Sequence, residues 1–217
     1  QEKMTTIPNG VDTKNFNPNI DGAKIRERFG LHGKTVLGFS GTFAPWHGVD
    51  FLLEAFKRLI QQGQDKERNI ILLLIGEPGR NFAMPRLPNG HIVTTGYVPH
   101  EEMPSHLAAV DIFIAPYPRI DPFYFSPLKI FEAMAMGIAV LASAQGQICE
   151  LIDDGINGLL YPPGEMHLLL NKLVLLLKDS EFRKGLGASA RKKMVQNYTW
   201  HDNAQAILKL CQQLQKV

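Results

Sequence analysis

Cysteine is scarce in this chain of 217 residues: Cys149 and Cys211 are the only two. They stand far apart, without a Cys-x-x-Cys spacing, so no disulfide framework is expected and a reduced, cytoplasmic compartment fits best. Long hydrophobic runs are missing as well. None reaches the roughly 18 residues that a bilayer span needs, and the first residues carry no signal-peptide pattern. Charge of one sign is also short: the net charge is +2 with no basic run of five or more, which argues against a nucleic-acid or anionic-membrane footprint. The local signatures of zinc metalloproteases (His-Glu-x-x-His) and of α/β-hydrolases (Gly-x-Ser-x-Gly) do not occur, nor does an Asp-x-Asp pair that would chelate a divalent ion.

What is present is an ordinary globular composition, 45% hydrophobic and 20% charged, enough to bury a sizeable core in one large domain or a tightly fused pair. Apolar runs with strand character alternate with helical patterns. Strands are expected at residues 36–40, at the continuous run 70–75, and at 91–94, 112–115, 139–142 and 157–161. Helices are expected at about 49–62, 100–109 and from Ser126 onward. Beyond Pro162 the pattern is purely helical, at about 165–178, 181–196 and 200–215. Such alternation implies an α/β fold with a doubly wound parallel sheet and helices on both faces, followed by C-terminal helices. Ligands of such sheets bind beyond the carboxyl ends of the strands.

The segment from Ser126 to Gly137 carries the sharpest chemical signal. Ser126 suits an N-cap and Pro127 the first helical position, which leaves Leu128 and Lys129 with free amides at the positive end of a helix. A lysine there is unfavourable by about 0.3–1 kcal/mol unless a bound anion sits beside it, and phosphate is the natural candidate. The bland alternative is that Lys129 and Glu132 form a surface pair. The loop Gly41-Thr42-Phe43-Ala44-Pro45-Trp46-His47-Gly48 also precedes a helix and has glycines that permit close approach to a phosphate. It matches neither the dinucleotide fingerprint nor a P-loop. His47 alone reads as a hydrogen-bonding or helix-start residue rather than a general base, and Gly76 to Arg80 reads as a turn after the next strand.

Taken together and in order, these motifs resemble the C-terminal, donor-binding domain of retaining glycosyltransferases of family 4 (group 1), the C-terminal half of a Rossmann-like GT-B fold. The resemblance runs through Ile7-Pro8-Asn9-Gly10-Val11-Asp12, Phe39 to Gly48, Leu53-Glu54-Ala55-Phe56 and Gly96-Tyr97-Val98-Pro99. It continues through Asp111 to Pro116, Phe131-Glu132-Ala133-Met134-Ala135-Met136-Gly137, Asp154 to Leu159 and Tyr198-Thr199-Trp200. It implies that Glu132 matches the second glutamate of the family's Glu-x7-Glu motif and binds the ribose hydroxyls. It implies too that the backbone of Gly96, Tyr97 and Val98 meets the nucleobase edge and that the amides of Leu128 and Lys129 face the diphosphate, with Gly41, Gly76, Ser126 and Pro127 counted among the donor-binding residues. Two departures stand out. The first motif glutamate falls at Tyr124, so its contact with the donor sugar is missing or made by another group such as Asp121. The paired basic residues of the first loop fall at Thr42 and His47, so Lys129 is expected to replace the lost charge.

The reaction implied is transfer of a hexose-type sugar from a nucleoside diphosphate to an acceptor, with Lys129 and Glu132 as the residues nearest the chemistry and no metal or other cofactor. The whole chain is expected to form a single nucleotide-sugar-binding domain: residues 1–33 a linker and lead-in, 34–162 the α/β core, 163–217 the C-terminal helices. An acceptor glycan or lipid, and any peripheral membrane contact, would then engage an N-terminal domain absent from this sequence, and the isolated domain would bind without catalysing. A nucleotide-sugar epimerase and a non-catalytic nucleotide-sugar-binding module remain open as alternatives.

Overall fold

The computed structural model describes residues 5–63, 69–79, 82 and 91–214. Six strands are seen: β1 (Thr35–Ser40), β2 (Ile70–Ile75), β3 (Ile92–Thr94), β4 (Ile112–Ala115), β5 (Ala139–Ser143) and β6 (Leu159–Tyr161). All pair in parallel, in the order β3-β2-β1-β4-β5-β6. Chain order runs outward from β1 to β3, then returns to β4 on the other side of β1. The loops after β1 and β4 therefore diverge and open a crevice at their carboxyl ends, the switch point of a Rossmann-like sheet.

Among the described residues the helices are α1 (Ala23–Arg28), α2 (Val49–Gln61), α3 (Met103–Leu107), α4 (Leu128–Ala135), α5 (Ile148–Leu151), α6 (Met166–Lys178), α7 (Ser180–Asn197) and α8 (Trp200–Leu214). They cover both faces of the sheet, and strand alternation decides which. Leu37 and Phe39 of β1 point to the face closed by α2 and α6, among Leu52, Phe56, Leu169 and Leu173. Val36 points to the face closed by α4 and α7, among Phe131, Met134, Ala190 and Met194. Ile70–Ile75 is buried at every position, as a strand covered on both sides must be.

The lead-in differs from the expected linker, since α1 lies within it. Its six residues bury only Ile25, too little apolar pattern to read from the sequence. It is held instead by the Arg26 guanidinium, 2.9 Å from Asp111, whose same oxygen accepts the Val36 N–H at 2.7 Å. Residues 8–16 are tied to the C-terminal helices. Val11 N–H donates to the Tyr198 carbonyl and the Asn203 amide to the Pro8 carbonyl, both at 2.8 Å. The Arg191 guanidinium donates to the carbonyls of Thr13, Phe16 and Ala135.

A tyrosine hydroxyl is stranded in the core. The Tyr161 hydroxyl is buried without a hydrogen-bond partner among the described residues, and burial pushes its pKa up. Tyr161→Phe should therefore stabilise the protein by about 1 kcal/mol, since an unmet buried hydroxyl costs about that much or more. In a chain of this size that is a rise of roughly 2–4 °C in Tm, and an unchanged or lower Tm would show that the hydroxyl is satisfied.

Candidate functional site

The crevice floor is main chain. Gly48 has φ 71°, and a Cβ there would fall 1.9 Å from the Pro116 carbonyl oxygen, so the loops after β1 and β4 meet backbone to backbone. Gly76, at φ +138°, does the same against the Gly41 carbonyl, where a Cβ would come within 2.2 Å. A Cβ on Gly41 itself would lie 2.7 Å from the Lys129 ammonium. Gly41 and Gly76, in the loops after β1 and β2, and the lysine of α4 thus converge on one spot.

Lys129 Nζ is buried and has no hydrogen-bond partner among the described residues. Its near surroundings are aromatic, with the Phe39 ring centroid at 4.5 Å and that of Tyr117 at 5.6 Å. Facing rings compensate a cation only in part, and burial pulls the Lys129 pKa down from 10.5 to about 7 against the opposing attraction of Glu132. The surface-pair alternative is thereby set aside: the ammonium is not at the surface, and no ion pair joins it to Glu132.

The start of α4 departs from the expected cap. The helix begins at Leu128, and Pro127 (φ −80°, ψ 78°) precedes it without a side-chain cap. Those angles make an inverse γ-turn, in which Leu128 N–H donates to the Ser126 carbonyl at 2.9 Å. The Leu128 amide is therefore engaged rather than free. The Ser126 hydroxyl donates across to Gln147 Oε1 at 2.7 Å instead of capping. The Ser126 hydroxyl is thus not a partner of the ammonium. The Lys129 N–H, in contrast, finds no acceptor among the described residues, and at this position it points out of the helix end.

His47 ends a short 3-10 turn, Pro45–His47. Its Nδ1 lies 2.5 Å from the Thr42 carbonyl oxygen. A carbonyl can only accept, so Nδ1 carries a proton and the neutral ring leaves Nε2 bare. Burial, then the nearby Lys129 charge, hold the His47 pKa below its usual 6.5.

Glu132 lies one turn into α4, its side chain 15% exposed and 3.9 Å from His100 Nδ1. Burial pushes its pKa up to about 7, while His100 and Lys129 pull the other way. No hydrogen bond occupies the carboxylate among the described residues. Of the stretch after β3, the Tyr97 N–H already donates to Glu77 at 3.2 Å and its ring is exposed, whereas the Val98 main chain makes no hydrogen bond among the described residues. Tyr124 is 75% exposed, with its ring 4.4 Å from that of Phe125. Asp121 is exposed nearby, and Arg80 lies outside the described residues.

Sequence reasoning missed three residues. Gln145 braces the loop after β4, donating to the carbonyls of Tyr117 and Pro118 and accepting from Ile120 N–H. Gln147 holds Ser126, and Tyr117 walls Lys129. Only the glutamine signal could have been sought, since two long amides, Gln145 and Gln147, closely follow a strand. Among the described residues no group of three or more His, Cys, Asp or Glu is placed to hold a metal ion, and no helix is long and apolar enough to cross a membrane.

The model of the family described as glycosyl transferases group 1 matches residues 34–179. A GDP-mannose-dependent alpha-(1-6)-phosphatidylinositol monomannoside mannosyltransferase of Mycolicibacterium smegmatis is 28% identical over 94% of this chain and 55% of its own length. A glycosyltransferase structure from Rickettsia africae superposes with a TM-score of 0.82 over 99% of this chain and 58% of that one, at 21% identity. The Anabaena protein Alr3699/HepE, solved in complex with UDP and glucose, gives 0.77 over 94% and 55%, also at 21% identity. The chain thus spans a little over half the length of the proteins it matches.

Proposed function

We infer, for a chain that belongs to the group 1 glycosyl transferases, the role of donor-binding half of a retaining glycosyltransferase. It would hold a nucleoside diphosphate sugar while a domain outside this sequence presents the acceptor. The observation that carries the reading is the Lys129 ammonium, buried and unpartnered beside an unpartnered N–H of its own helix end. A cation held dry without an anion is costly, and a diphosphate supplies both missing partners.

The other groups then fall into a line. The diphosphate rests on Gly41 and Gly76 between Lys129 and the Thr42–His47 loop, with Ser126, Pro127 and Leu128 shaping the turn above it. Glu132 accepts from the ribose hydroxyls, and Val98 meets the base with its open main chain while Tyr97 contributes its carbonyl side. As the glycosidic bond breaks, negative charge grows on the departing diphosphate. Fixed donors at that position stabilise the transition state more than the ground state. Lys129 supplies the charge that a metal ion gives in other phosphate sites, so the proposal needs none.

Calorimetric titration of UDP, GDP, ADP and pyrophosphate at pH 7 tests the reading, with Glu132→Gln as its internal control. At least one nucleoside diphosphate should bind the wild type. The variant should bind it about 10- to 100-fold more weakly, the range for hydrogen bonds to a charged group, while pyrophosphate affinity stays unchanged. Equal losses for both ligands would take ribose recognition away from Glu132. Failure of every nucleotide to bind would overturn the role itself.

A further inference from the structure

We propose that Phe123, Tyr124 and Phe125 form the glycosyl end of the donor site. They take a pyranose ring by its apolar face and favour sugars that carry a methyl group, as an acetamido or a 6-deoxy carbon, over fully hydroxylated hexoses. The proposal rests on the donor-binding reading above and adds the class of sugar.

Strand order fixes the direction along the site. Glu132 faces His100, in the 3-10 turn that follows the β3 loop, so the nucleoside lies over the β3 side. The anion position, at Gly41 and Lys129, lies over β1 and β4. The next loop in that direction follows β5 and carries Gly146 and Gln147. A cleft of about 360 Å³ opens there, lined by residues 123–126, by Gly146 and Gln147 and, distant from them in sequence, by residues 6–9 of the lead-in, with Glu150 the one carboxylate of its lining. Whatever is attached to the far phosphate meets this cleft first.

Its wall is a continuous aromatic series. The Tyr117 ring, 5.6 Å from Lys129 Nζ, meets Phe123 edge-on at 5.6 Å and stacks with Phe125 at 6.4 Å. Phe125 in turn meets Tyr124 at 4.4 Å. Phe123 occupies space that any side chain at position 146 would need, since a Cβ on Gly146 would fall 2.4 Å from its ring. The outermost ring, Tyr124, is left open on the cleft side of the series. The negative faces of such rings attract the C–H bonds of a sugar's apolar face. A hydroxyl turned toward them loses water without gaining a strong acceptor.

Calorimetry on this chain tests the proposal with paired donors: UDP-N-acetylglucosamine against UDP-glucose, and GDP-D-rhamnose, the 6-deoxy form of the mannose donor, against GDP-mannose. UDP and GDP serve as references. Within the series whose nucleotide binds, the acetamido or deoxy donor should bind at least fivefold more tightly than its hydroxylated partner. Tyr124→Ala should reduce that preference below twofold with the free nucleotide's affinity unchanged, and Tyr124→Phe should retain it. Equal affinities in the wild type, a preference that survives Tyr124→Ala, or a loss of free nucleotide binding in that variant would each overturn the proposal while leaving donor binding intact. Absence of binding by both nucleotides would overturn the donor-binding reading and this proposal with it.

Discussion

Lys129→Met should make the protein more stable and, in the same step, a poorer host for nucleoside diphosphates. Methionine keeps the length and apolar stem of lysine and removes a charge that is walled by Phe39 and Tyr117 without a hydrogen-bond partner. Replacing buried charge with well-packed apolar side chains stabilises by about 1–4 kcal/mol in comparable cases. Loss of the attraction to the rings offsets part of that gain. Binding should move the other way by about 1.5–3 kcal/mol, the worth of charge-assisted bonds, or roughly 10- to 150-fold in Kd. Urea denaturation and calorimetry on one preparation read both quantities. A stabilised variant that binds as before would place Lys129 outside the site. A variant weakened in both respects would make the lysine a structural residue. The opposing signs are the signature of a group retained for function at the expense of stability.

The second expectation concerns pH, and its sign follows from which state holds more protons. Lys129 has a folded pKa of about 7 against 10.5 unfolded. Between those values the unfolded chain binds more protons, so stability rises with pH across that window. Glu132 behaves oppositely, with about 7 folded against 4.5 unfolded. From 4.5 to 7 the folded state holds the extra proton, and stability falls as pH rises. The pair therefore contributes a trough near pH 7. His47, held below 6.5, adds a smaller rise on the acid side, so the pair is isolated by subtraction rather than read from the wild type alone. Stability of the wild type minus that of Lys129→Met/Glu132→Gln, measured at pH 5, 7 and 9, should be lowest at pH 7. A flat difference would mean that neither group is desolvated on folding. Diphosphate affinity should likewise decline above pH 7 in the wild type and not in Lys129→Met, because the ammonium becomes the minority form there.

Much of the framework was readable from hydrophobic rhythm. The run Ile70–Ile75 is so uniformly apolar that only a strand covered on both faces suits it, and the helix from Val49 carries its apolar residues at helical spacing. Short elements stabilised by tertiary contacts were not readable. In α1 a single buried Ile25 and one distant ion pair with Asp111 do the work of an apolar stripe, and α5 has only four residues. At the candidate site, the convergence of Lys129 with the first loop follows from the strand–helix order. Its burial does not, because the aromatic walls come from positions 39 and 117, ninety and twelve residues away in sequence. The Ser126 cap failed for a similar reason: a hydroxyl with local capping preference found a stronger partner in Gln147, which only the folded chain brings near.

The seam where Gly48 meets Pro116 and Gly76 meets Gly41 has an evolutionary corollary. Three of its four members are glycines and the fourth, Pro116, presents its carbonyl, so substitution can scarcely remodel the bed on which an anion would lie. The flanks, built from the Tyr97 and Tyr124 neighbourhoods, remain free to drift. A lineage using this scaffold could therefore change base and sugar many times over while the floor beneath the diphosphate kept one shape.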